Sequence, residues 1–115
     1  MPCLVFGDGF LTLPAPFVFV RTPQLAGLLG QQATYVSRTP TFEIAEGWLR
    51  VCKDAKHRVL VGNPGHDWVA VKQEESTPVW DGCWIQLFNE RQQYILHVEY
   101  CARDAPAHAA SLDCS

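Results

Sequence analysis

A chain of 115 residues fits a single domain, and a hydrophobic fraction of 48% with a charged fraction of 18% sets it apart from sequences too polar to bury a core. The net charge of -3, with nine basic residues scattered along the chain, argues against a phosphate-binding stripe and so against nucleic acid as a partner. The longest apolar run falls far short of a membrane span, so no membrane partner is expected.

The opening residues Met1 to Asp8 lack the basic start of a secretory signal. The five cysteines, Cys3, Cys52, Cys83, Cys101 and Cys114, are odd in number and contain no C-x-x-C pair, which fits reduced thiols and a cytoplasmic location. Cys3 to Phe6 and Phe10 to Leu13 flank Gly7-Asp8-Gly9 and predict a β-hairpin at the edge of a sheet. Phe17 to Val20 has strong β propensity. Thr22, an N-cap type, precedes Pro23 at a first helical position; Leu25, Leu28 and Leu29 share a face, and Gly30 can close the end. This predicts a short helix over Pro23 to Leu29.

Ala33 to Ser37 is a candidate strand. From Phe42 to Cys52 two patterns compete. Phe42 and Ile44 alternate as in a strand, whereas Ala45, Trp48, Leu49 and Cys52 recur at helical spacing and Glu46 precedes Arg50 by four residues. The charges favour a main helix from Thr41 to Lys53. Four strands follow, His57 to Val61, Trp68 to Lys72, Trp80 to Phe88 and Gln92 to Cys101, and consecutive pairing makes them a meander. Parity places Trp80, Trp84, Phe88, Tyr94, Leu96, Val98 and Tyr100 on one aromatic face, the candidate core. The expected fold is α+β: an antiparallel sheet of about five or six strands, one main helix and one short one, in a domain covering 1–101 with a tail over 102–115.

Three constellations could carry function. His66-Asp67-Trp68-Val69-Ala70-Val71 resembles the base-bearing strand of papain-like and transglutaminase-like cysteine enzymes, and the order Cys52, His66, Asp81 matches their cysteine, histidine, aspartate order. The resemblance implies a cysteine-dependent hydrolase or acyltransferase. Against it, Cys52 would close a helix, and a helix C-terminus raises rather than lowers a thiol pKa. Asn63-Pro64-Gly65 also forms a self-sufficient turn, which makes His66 a corner residue.

A three-residue loop at Asn89 to Arg91 would set Cys83 opposite His97 and Asp81 opposite Glu99, a ligand set of zinc type in Cys83, His97 and Glu99. Small buried thiols and a solvated polar face account for the same residues, so no metal and no cofactor is expected. His97-x-Glu99 lacks the Pro-Cys-x-x-Cys that a zinc deaminase needs. Finally, four tryptophans exceed what a small core requires, and Trp48, Trp68 and Trp80 are candidate binding residues. The favoured function is therefore a small acidic protein-binding module, an inhibitor, immunity-type neutraliser or assembly subunit. Its expected partner is another protein with a basic surface, or a second copy in a homodimer.

Overall fold

A computed structural model describes residues 2–6, 9–13, 16–30, 36–88, 91, 94–102 and 110–111. The molecule is mostly β: two sheets close on one core, and the α+β expectation with a main helix is overturned. The larger sheet contains β1 (Cys3–Phe6), β2 (Gly9–Thr12), β6 (Arg58–Gly62), β7 (Val69–Val71), β9 (Cys83–Phe88), β10 (Tyr94–Cys101) and β11 (Ala110–Ser111), in the order β11-β2-β1-β10-β9-β6-β7. Six of these strands pair antiparallel, and the two-residue β11 adds a parallel edge to β2. The smaller sheet is β3 (Phe17–Phe19), β4 (Phe42–Ala45), β5 (Trp48–Val51) and β8 (Ser76–Pro78), in that order.

The segment read as the main helix is the β4–β5 hairpin. Glu46 and Gly47 form its two-residue turn, with φ of 52° and 79°, and Ala45 stands opposite Trp48. Positive φ at both central residues is the type I′ signature, whose twist matches that of paired strands. Glu46, set four residues before Arg50 by the helical spacing argument, lies in the turn instead, and Arg50 faces Glu43 across the ladder. Phe42, Ile44, Leu49 and Val51 point inward, and Phe42 stacks on Phe19 of β3 at 4.8 Å between ring centroids. Burying four such side chains, at roughly 1.5–3 kcal/mol each, outweighs any helical preference of the intervening residues.

The short helix α1 (Pro23–Leu29) forms where its start signals lie; Thr22 Oγ1 accepts from Leu25 N at 3.1 Å, and Gly30 ends it at φ 59°. The expected strand over Ala33 to Ser37 lies mostly outside the described residues. His57 Nε2 accepts from Ser37 N at 2.9 Å and ties that segment to the entry of β6.

The four C-terminal strands do not form a meander. β8 leaves for the smaller sheet, β7 stands at the edge of the larger one, and β6 pairs with both β7 and β9. The β1–β2 hairpin forms, yet β1 is no edge strand: it lies between β2 and β10, and Cys3, Leu4 and Val5 are all buried. Within the span read as a tail, Ala110 and Ser111 contribute β11.

The aromatic face is corrected as well. The ladder shifts register between Tyr94 and Leu96, so that Leu96 opposes Leu87, Val98 opposes Ile85 and Tyr100 opposes Cys83. Those six side chains face the core and are buried. A one-residue change of register moves a whole strand's side chains to the opposite face. Trp84, at 39% exposure, therefore lies on the outer face with Gln86, away from Leu96.

Candidate functional site

Three chain reversals meet at one end of the molecule: the β4–β5 turn, the link from β6 to β7, and the link from β8 to β9. Asn63 binds two of them together. Its Nδ2 donates to Pro78 O at 2.9 Å, its Oδ1 accepts from Trp80 N at 3.0 Å, and its carbonyl accepts from His66 N at 3.1 Å. Val79 N donates to Gly47 O at 2.9 Å and brings in the third. Pro64, Gly65 at φ 77° and the Asn63–His66 hydrogen bond define a type II turn, and Gly82 takes φ 84° in the β8–β9 link, a backbone conformation that glycine favours.

All four tryptophans lie in or beside the reversals of this rim and are between 39% and 53% exposed. Trp48 projects from the first residue of β5, flanked by Ala45 and Pro78 on the neighbouring strands. The Trp80 ring meets His66 edge-on at 4.7 Å. Trp68 lies over Gly62: a Cβ built there would come within 2.9 to 3.0 Å of three indole carbons. One face of that indole thus rests against bare backbone, and Gly62 is the residue that makes the seat possible.

Beside it, Trp84 stacks on His97 at 4.1 Å with 19° between the planes, and Trp68 approaches the same imidazole at 6.4 Å. Gln86, opposite His97 in the ladder, joins its side-chain nitrogen to Nδ1 at 3.0 Å. With the amide donating, Nδ1 is the acceptor and the ring proton resides on Nε2. Burial lowers the His97 pKa below its ordinary 6.5, so the ring is neutral at pH 7.

Cys52, His66 and Asp81 are not assembled. Cys52 follows the last residue of β5, whereas His66 packs on Trp80, two residues beyond the Pro78 that opposes the first residue of that strand. Four strand residues, at about 3.3 Å each, separate the two ends by roughly 13 Å along the ladder. Burial and the Glu43 carboxylate raise the Cys52 pKa, against a smaller opposing effect of Arg50, so nothing there generates a thiolate at neutral pH. Asp81 Oδ1 accepts from Ala102 N at 2.9 Å and holds the end of β10.

Cys83, His97 and Glu99 do not share a face. Cys83 points into the core and its thiol is pushed up to about 12, chiefly by burial, while His97 and Glu99 lie on the outer side with Trp84 and Gln86. Among the described residues no three His, Cys, Asp or Glu side chains gather in a metal-binding group. Among the described residues no helix is long and apolar enough to cross a membrane.

Sequence reasoning singled out Trp48, Trp68 and Trp80 for binding, but its parity argument also placed Trp80 and Trp84 in the core, where neither lies, and it treated Asn63 only as a turn residue. Gly62, immediately before the Asn63-Pro64-Gly65 turn, was the one available sign of a close approach at that point. No protein-family model matches this chain, and neither a curated protein nor a solved structure does.

Proposed function

We propose that this protein is a binding module that occupies the surface of a partner protein, with Trp68, Trp80 and Trp84 as the central anchors and Trp48 at the periphery. The observation that carries the reading is the rim itself. Its indoles stand exposed on hydrogen-bonded reversals, and large aromatics held in place lose little conformational freedom on binding.

The charge pattern supports a basic partner. Residues 45–48, 62–68 and 78–84 contain the carboxylates Glu46, Asp67 and Asp81 but no lysine or arginine. A basic protein surface complements this rim, and an arginine guanidinium stacks well on an indole face. The rim's acidity also speeds the encounter with such a surface.

Immobilised wild-type protein and a Trp68→Ala/Trp84→Ala double variant, each checked for its native circular dichroism, are exposed to an extract of the source cells. The reading expects a basic protein retained by the wild type, lost from the double variant, and released by moderate salt. Retention of the same proteins by both forms would remove the rim from the account.

A further inference from the structure

We propose that Cys3 and Cys101 are a redox pair, joined by a cross-strand disulfide when the protein meets a small-molecule disulfide oxidant. The two residues stand directly opposite each other on β1 and β10. They form a small buried cluster with Val5, against which Phe10 packs, apart from the main core. Directly opposed residues of antiparallel strands have Cα atoms about 4.5 or 5.5 Å apart, and both values fall within the range of roughly 4.4–6.8 Å that a disulfide spans.

The other described thiols do not compete. Cys83 faces the main core on the opposite side of the same sheet, and Cys52 follows β5 in the smaller one. Cross-strand Cβ atoms start about 4.5–5.5 Å apart, a little wider than the roughly 3.5–4.5 Å of a relaxed disulfide, so the strands must draw together slightly. That mild strain makes the bond reducible by ordinary thiol buffers.

The exchange balances with glutathione disulfide as oxidant. One cysteine loses its proton, attacks a glutathione sulfur and releases one glutathione thiolate, leaving a mixed disulfide. The second cysteine, also deprotonated, attacks the protein sulfur of that bond and expels the second thiolate. Two protons leave the protein, and one glutathione disulfide becomes two glutathione thiols. Both sulfurs are shielded in the folded state, so the first attack waits for β1 to open, and oxidation is slow on a native sample and faster during refolding.

The test maps thiols on the full chain. Protein refolded in a glutathione redox buffer is alkylated under denaturing conditions and digested without reduction. The expected product is one linked peptide pair containing Cys3 and Cys101, with two fewer alkylated thiols than the reduced control. Because the bond encloses nearly the whole chain, the melting temperature should rise by about 10 °C, and dithiothreitol should reverse the shift. A Cys52→Ser variant should give the same linked pair. Finding Cys3 and Cys101 still alkylated, carrying glutathione, or bonded to Cys114 or any other cysteine would overturn the proposal, and these outcomes require no variant to fold.

Discussion

The inner and outer faces of β9 differ in the opposite sense from what side-chain size suggests. Cys83, Ile85 and Leu87 point inward and are buried, whereas Trp84, the largest side chain on the strand, faces outward and rests on a histidine. Among the described residues the core is filled mostly by aliphatic side chains, with the stacked pair Phe19 and Phe42 and with Tyr100. Shape explains the division: branched aliphatics interdigitate between two sheets, and a buried indole would also need a partner for its N–H. A large aromatic residue in a strand is therefore no indicator of the core; its neighbours across the ladder decide.

The largest effect on this contrast should come from truncating the inner face. Leu87→Ala removes a side chain that is 1% exposed and should cost about 2–5 kcal/mol by denaturant unfolding. A cost near zero would mean that the register of β9 and β10 is wrong. Asn63→Ala comes next. It removes both side-chain hydrogen bonds that fasten the β6–β7 turn to the β8–β9 link and should cost about 1–3 kcal/mol, roughly 0.5–1.5 kcal/mol for each bond, with altered emission from Trp80.

Gly47→Ala is smaller but separates two folds by sign. At φ 79° an alanine should destabilise the hairpin by about 1 kcal/mol, whereas in a helix over the same residues it would stabilise by a similar amount. The smallest effect is electrostatic. The folded pKa of His97 lies below its unfolded value, so its contribution to stability is fully present above about 6.5 and is lost as pH falls through the folded pKa. NMR titration of the ring should show the lowered value, and Trp84→Ala, by uncovering the imidazole, should move it back up.

Much of the fold was legible where a residue acts locally. The Thr22-Pro23 helix start, the turn at Asn63-Pro64-Gly65 and the β1–β2 hairpin depend on short-range chemistry and lie where the sequence places them. The two misreadings share one cause. Across the β4–β5 turn Phe42 opposes Val51 and Ile44 opposes Leu49, and across β9–β10 Leu96 opposes Leu87 and Val98 opposes Ile85. In each hairpin an even-numbered residue faces an odd-numbered one, so the inward set changes parity at the turn.

In β4–β5 the helical spacing joined the outward pair Ala45 and Trp48 to the inward Leu49 across the turn. In β9–β10 the change of parity was hidden by an irregularity between Tyr94 and Leu96, and it exchanged Trp84 for Ile85 in the expected core. The same slip had assembled Cys83 with His97 and Glu99. As for the rim, tryptophan abundance pointed to Trp48, Trp68 and Trp80, but Asn63's grip on Pro78 and Trp80 spans 15 and 17 residues and leaves no local trace.

If the rim indoles are displayed for recognition, they contribute little to holding the fold. The most direct measurement is the unfolding free energy of the Trp68→Ala/Trp84→Ala double variant by urea titration. A loss of less than about 2 kcal/mol is expected, since Trp68 and Trp84 keep 45% and 39% of their surface in solvent and neither enters the core. A loss of about 5 kcal/mol or more, the scale of buried aromatic truncations, would return these tryptophans to the core and contradict it.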